Sequence, residues 1–190
     1  MMKHEMYEFT LVLDGVDDQT DGLEDQLFEA QCDDALINFR NGTVYLDFSR
    51  KSTSIEEAII SAIQAVEGIP AGAKVISILP DDLVTEAEIA HRLKKTRQAV
   101  SLWVKKARRQ ENPFPNPVSG LSDKSPMWRW GEVVQWLHVH RLIKDKKILD
   151  SATFIEHANA VLGERDPKIK AYRHNILNRL QQPTNTKFIS

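Results

Sequence analysis

The dipeptide Asn41-Gly42 constrains this chain more than any other two residues. Asn and Gly both tolerate a positive φ, which a two-residue hairpin turn demands, so Asn-Gly between strand-like runs is a strong hairpin signal. Before it stands the short apolar run Ala35 to Phe39; after it Val44, Leu46 and Phe48 alternate with Tyr45 and Asp47. That hairpin frames its surroundings. Tyr7 to Leu13 is rich in β-branched and aromatic residues and stops at Asp14-Gly15, the pattern of a strand. Asp21 to Gln31 carries Leu23, Leu27 and Phe28 at helical spacing. Ser54 and Glu57 form a capping box opening a helix through Ile59, Ile60, Ile63 and Val66, which Pro70 and Gly72 end. Lys74 to Leu79 is a last strand before Pro80.

The order βαββαβ is the ferredoxin-like split βαβ arrangement. Its two right-handed crossovers place both helices on one face of a four-stranded sheet. Fold alone does not give function. Residues 1–80 hold 15 acidic against 5 basic residues, a balance of −10, which speaks against an RNA-binding sheet. The adjacent carboxylates Asp17-Asp18, Asp33-Asp34 and Glu56-Glu57 diverge on any regular element, and no histidine follows at ligand spacing. Cys32 lies beside Asp33 and Asp34, which raise a thiol pKa rather than activate it.

The charge then inverts. Residues 81–144 hold 12 basic against 7 acidic residues, and residues 145–190 hold 8 against 5, so the whole chain of 190 residues nets −2. An acidic half joined to a basic half directs nucleic-acid contact to the basic half. After the short joint Asp81 to Val84, Thr85 and Glu88 form a second capping box, and Ile89, Ala90 and Leu93 are the buried stripe of a short helix. Lys94-Lys95-Thr96 interrupts it, and Thr96 caps a second helix. That helix runs from Arg97 through Val100, Trp103, Val104 and Ala107 to Arg108-Arg109, with Trp103 expected in the core. Two short helices joined in this way form a helix-turn-helix. Arg97, Gln98 and Ser101 occupy the exposed face of the second helix near its start, with Lys105 one turn further. Arg pairs bidentately with guanine and Gln with adenine in the major groove, while Ser and Lys reach phosphates or base edges.

The stretch Thr96-Arg97-Gln98-Ala99-Val100-Ser101-Leu102-Trp103 resembles the second-helix signature of many bacterial helix-turn-helix regulators, although Lys94 stands where the turn usually has glycine. An extended Asn112-Pro113-Phe114-Pro115-Asn116-Pro117-Val118 follows. Next come a polar loop from Gly120 to Ser125, a Met127-Trp128-Arg129-Trp130 strand and a helix from Glu132 to Leu142 carrying Val133, Trp136 and Leu137. Together, residues 84–142 resemble the MerR-like winged helix, of the excisionase and prophage-regulator type. The whole chain also resembles a group of bacterial proteins with an acidic α+β front and such a module behind, which carries no activity across. The winged-helix resemblance implies double-stranded DNA binding. The second helix, with Thr96, Arg97, Gln98, Ser101, Lys105, Arg108 and Arg109, would enter the major groove, and the wing residues Lys124 and Arg129 would lie along the backbone or minor groove.

The expected architecture is therefore α+β. An acidic ferredoxin-like domain at 1–80 would serve dimerisation, a partner or a ligand, and a winged helix-turn-helix domain would span 81–144. Two helices at 145–182 would dimerise or pack back on the N-terminal domain, and 183–190 would be a flexible tail. The expected function is a sequence-specific transcriptional regulator of double-stranded DNA, a repressor acting as a homodimer. One alternative is an antitoxin-like adaptor whose acidic domain binds a protein partner while the winged helix holds operator DNA. A second is a small-molecule sensor using the ferredoxin-like domain. No nucleophile–base–orienter set and no metal motif marks an enzyme, so no cofactor and no metal are expected. His138 and His140, two apart, diverge on a helix and suggest no zinc site. With no apolar signal core at the start, no membrane-length apolar run and a single cysteine, a cytoplasmic protein is expected, associated with the nucleoid when bound.

Overall fold

Inward-facing residues two apart build the first layer. The computed structural model describes residues 4–80, 82–106, 112–120 and 125–181. In β1 (Glu5–Asp14) Phe9, Leu11 and Leu13 are buried, and each lies opposite a buried residue of β3 (Thr43–Ser52): Phe48, Leu46 and Val44. The Phe9 and Phe48 rings stack at 5.1 Å. The Asn41-Gly42 turn, with φ of 52° and 77°, joins β3 to β2 (Ala35–Arg40), as the hairpin signal requires. With β4 (Lys74–Leu79) the sheet reads β2-β3-β1-β4, every neighbouring pair antiparallel.

Leu23 and Leu27 of α1 (Leu23–Glu29) and the buried face of α2 (Ile55–Glu67) join those inward side chains in one core. Ser54 caps α2, its hydroxyl accepting the Glu57 N–H at 3.1 Å. Phe28, expected on the apolar face of α1, is instead 71% exposed, one position past the stripe set by Leu23 and Leu27. Leu36 is also exposed, opposite Asp47 on the face of the sheet away from the core, and Phe39 is exposed near the end of the edge strand β2.

A second core forms behind the sheet domain. Leu83–Val84, expected as part of a joint, is strand β5, pairing antiparallel with β6 (Trp128–Arg129). Between them lie α3 (Glu86–Arg92) and α4 (Arg97–Lys106), and α5 (Trp130–Val139) follows β6 directly. The expected four-residue Trp strand is thus two residues long, and its helix starts at Trp130 rather than Glu132. Val84, Ile89, Ala90, Val100, Phe114, Trp128, Val133 and Leu137 are the heart of this core. Trp103 only packs against it, half-buried.

The helix α6 (Lys146–Leu162) belongs to both interiors. Ile155 and Leu162 are buried in the first core and Ala152 in the second, with Ile148 and Leu149 packed against the second. Burial of each large aliphatic side chain contributes about 1.5–3 kcal/mol, so α6 fastens one half to the other. It also covers the β4 edge of the sheet, where Asn159 hydrogen-bonds Ile78. Through Ile155 and Leu162, α6 packs on the sheet domain. The last helix, α7 (Pro167–Gln181), buries no residue.

Candidate nucleic-acid interface

The geometry of the second domain is set at the turn between α3 and α4. Lys94 adopts the left-handed conformation, φ 52°. Its N–H donates to the His91 carbonyl at 3.1 Å, and the Lys95 N–H donates to the Ala90 carbonyl at 2.8 Å. This pair of bonds is a Schellman motif, which satisfies carbonyls that the end of α3 would leave open. Lysine therefore adopts the conformation usually assigned to glycine here. The next helix starts at once: the Thr96 hydroxyl accepts the Ala99 N–H at 3.2 Å. The small, buried Ala90 and the fully buried Val100 lie where α3 and α4 cross.

With Val100 and Val104 fixed in the core, helical periodicity assigns the outer face of α4. Arg97, Gln98 and Lys105 are exposed and Ser101 is half-buried. Positions 97, 98, 101 and 105 fall within about 100° of helix circumference. None of these four side chains hydrogen-bonds or ion-pairs with another described residue. Thr96 is exposed too, but its oxygen is engaged as the cap. Leu102, 50% exposed and one turn after Gln98, is the residue of this face that pattern reading passed over. Its signal was an apolar side chain off the stripe of Val100 and Val104.

The segment after α4 is anchored by tryptophans. The Trp128 indole N–H donates to the Pro115 carbonyl at 3.0 Å, and that of Trp136 to the Asn112 carbonyl at 3.1 Å. Phe114 sits edge-on to both rings, at 5.9 and 5.0 Å. This proline-rich stretch thus directs its carbonyls to one buried and one half-buried indole, whose polar ends need a partner. Val118 and Ser119 then exchange hydrogen bonds with Met127 at 2.8 and 2.9 Å, an isolated antiparallel bridge. Gly120 is required there: at φ 71°, a Cβ would stand 1.9 Å from the Ser125 carbonyl oxygen.

Of the remaining expected contacts, Arg108, Arg109 and Lys124 lie outside the described residues. Arg129 lies on β6 and faces Asp82 at 3.6 Å and Glu156 of α6 at 3.7 Å, so it ties the second domain to α6. Arg92, on the last turn of α3, lies over the Trp130 ring at 5.2 Å and pairs with Glu88 at 3.4 Å. His140 stacks on Trp136 at 4.1 Å. Among the described residues no group of three or more His, Cys, Asp or Glu could hold a metal ion, and no helix is long and apolar enough to cross a membrane.

A cleft of about 1090 Å³ separates the sheet domain from the α3–α4 turn, with Tyr7 and Glu8 on one wall, Lys94 and Lys95 on another and Ile148 and Ala152 of α6 below. Nothing in the sequence marked it, because its walls come from three distant segments. Comparison with protein-family models, curated proteins and solved structures gives no match to the chain.

Proposed function

We propose that this protein is a sequence-specific double-stranded DNA-binding transcriptional regulator, a repressor acting as a homodimer. The observation that carries the reading is the uncommitted arc Arg97, Gln98, Ser101 and Lys105 on α4, whose opposite face is buried and whose angle to α3 is set by the Lys94 turn. A helix presented in this way fits the major groove, where Arg and Gln read base edges and Lys meets phosphate. The helix pair, the tryptophan-anchored extended segment and the short β5–β6 pairing support a MerR-like winged helix. The strand order β2-β3-β1-β4 supports a ferredoxin-like first domain. The test is selection of duplex oligonucleotides by the full chain, followed by affinity measurements over a range of salt. Binding that neutralises several phosphates falls with a log–log slope near −0.9 for each. Absence of an enriched sequence, or an affinity indifferent to salt, would overturn the reading.

Two further readings have a specific observation each. An adaptor that docks a protein partner on its acidic domain is favoured by the exposed edge strand β2. A small-molecule-sensing regulator is favoured by the cleft beside the α3–α4 turn, since ligand sites favour domain junctions.

A further inference from the structure

A helix of 15 residues that buries nothing is not stable in water on its own account. Yet α7 carries Ile169, Tyr172, Ile176, Leu177 and Leu180 at positions i, i+3, i+7, i+8 and i+11, one apolar stripe, with Tyr172 70% and Leu180 78% exposed. The stripe is built for a partner. The charge on the same helix narrows what that partner is. From Pro167 to Gln181 there is no acidic residue, against Lys168, Lys170, Arg173 and Arg179. Pairing α7 with its own copy would bring two wholly basic helices together, which like-charge repulsion opposes.

The complementary surface lies on the acidic domain. Between α1 and the edge strand β2 runs an apolar groove of about 200 Å³, lined by Phe28, Ala35 and Ile37 with Glu24 and Asp33 beside them. Phe39, on the same face of β2 as Ile37, extends it. Glu24 and Asp33 are its acidic rim, and neither forms an ion pair with a described residue. Within one chain α7 buries nothing against this groove. It leaves α6 by Arg165, which pairs with Glu67 at the end of α2, and α6 lies on β4, the edge of the sheet opposite β2.

We propose that α7 docks in the α1–β2 groove of a second copy of this chain, and that copy's α7 in the groove of the first. The contact is reciprocal, so two copies close as a two-fold dimer with no surface left to propagate. Basic helix meets acidic rim, and stripe meets Phe28. The proposal rests on the homodimer in the functional reading and names the surfaces that form it.

The test is sedimentation equilibrium on the full chain and two charge-reversed variants. One carries Lys168→Glu, Lys170→Glu and Arg179→Glu; the other carries Glu24→Lys and Asp33→Lys. Each variant alone should dimerise at least about tenfold more weakly than the natural chain, and mixing the two should restore dimerisation, because the mixed pair matches opposite charges at both contacts. Leu180→Glu, at a site that buries nothing, should weaken the dimer while the chain stays folded. If the groove variant dimerises normally while the α7 variant does not, the groove assignment is wrong and the homodimer stands. If the natural chain is monomeric at every concentration, both fall, whatever its affinity for DNA.

Discussion

Asn159 on α6 makes two hydrogen bonds to one residue, Ile78 of β4: its Oδ1 accepts the Ile78 N–H at 2.7 Å and its Nδ2 donates to the Ile78 carbonyl at 2.8 Å. The carboxamide reproduces what a neighbouring strand would offer, at the edge where the sheet ends. An unpaired strand edge is an invitation to another chain, and backbone groups buried there without partners are costly. Asn159→Ala should therefore lose more than a surface contact. It should destabilise the chain by roughly 2–3 kcal/mol, because both Ile78 groups lose their partner at once. Urea denaturation measures this; a loss below about 0.5 kcal/mol would mean that water replaces the carboxamide at little cost.

Arg97→Ala and Gln98→Ala should each cost about 1–3 kcal/mol on the selected DNA site and less on random duplex, as expected of side chains that read base edges. Lys105→Ala should weaken both alike and lower the salt slope by about one unit. Titrations on the two DNAs decide. An unchanged ratio of specific to random affinity in the folded Arg97 and Gln98 variants would leave α4 without a reading role.

Three helices end on a non-glycine residue in the left-handed region: Gln31, Lys94 and Arg141. Arg141 is exposed, and its N–H bonds the His138 carbonyl at 3.0 Å, as the end of α5 requires. Arg141→Gly should stabilise the protein by about 0.5–1 kcal/mol, since relief of backbone strain exceeds the entropy glycine adds to the unfolded chain. A fall in the thermal midpoint would refute this.

Trp103→Ala and Trp128→Ala make a paired comparison. Trp128 is almost fully buried and its loss should cost about 3–5 kcal/mol. Trp103, only half-buried, should cost clearly less. Equal losses in chemical denaturation would place Trp103 in the core after all.

Burial raises the Cys32 thiol above its ordinary value of 9.0, outweighing the nearby Arg50 guanidinium, which pulls it down. The folded chain therefore favours the neutral thiol. The stability this contributes is complete below the ordinary value and is lost as pH rises from about 9 through the folded value. Thiol reagents should label Cys32 slowly in the native protein and rapidly in urea, and the urea midpoint should fall between pH 8 and pH 10. Equal labelling rates would contradict a buried, neutral thiol.

What was legible in the sequence is what neighbouring residues decide. Asn41-Gly42 made its hairpin, and Ser54, Thr85 and Thr96 each capped the helix expected of them, because these bonds close within three residues. The arc on α4 followed from periodicity once Val100 and Val104 were read as buried. Distant partners left no local signal. Nothing in the sequence around Asn159 marks its partner Ile78, which is 81 residues away. Arg129, expected along the wing, has Asp82 and Glu156 beside it, partners that no local pattern announces. Phe28 looked apolar enough for the core, but burial depends on which neighbour reaches it, and among the described residues it stays 71% exposed.

Ala152 and Ile155 are three residues apart on α6, yet they belong to different interiors. A chain cut before residue 146 keeps most of both cores but leaves each without side chains that α6 supplies. The acidic and basic halves should therefore unfold in one cooperative step. A gene fragment ending at α5 would transfer the second domain with its interior unfinished, so recombination that moves this domain must carry α6 with it.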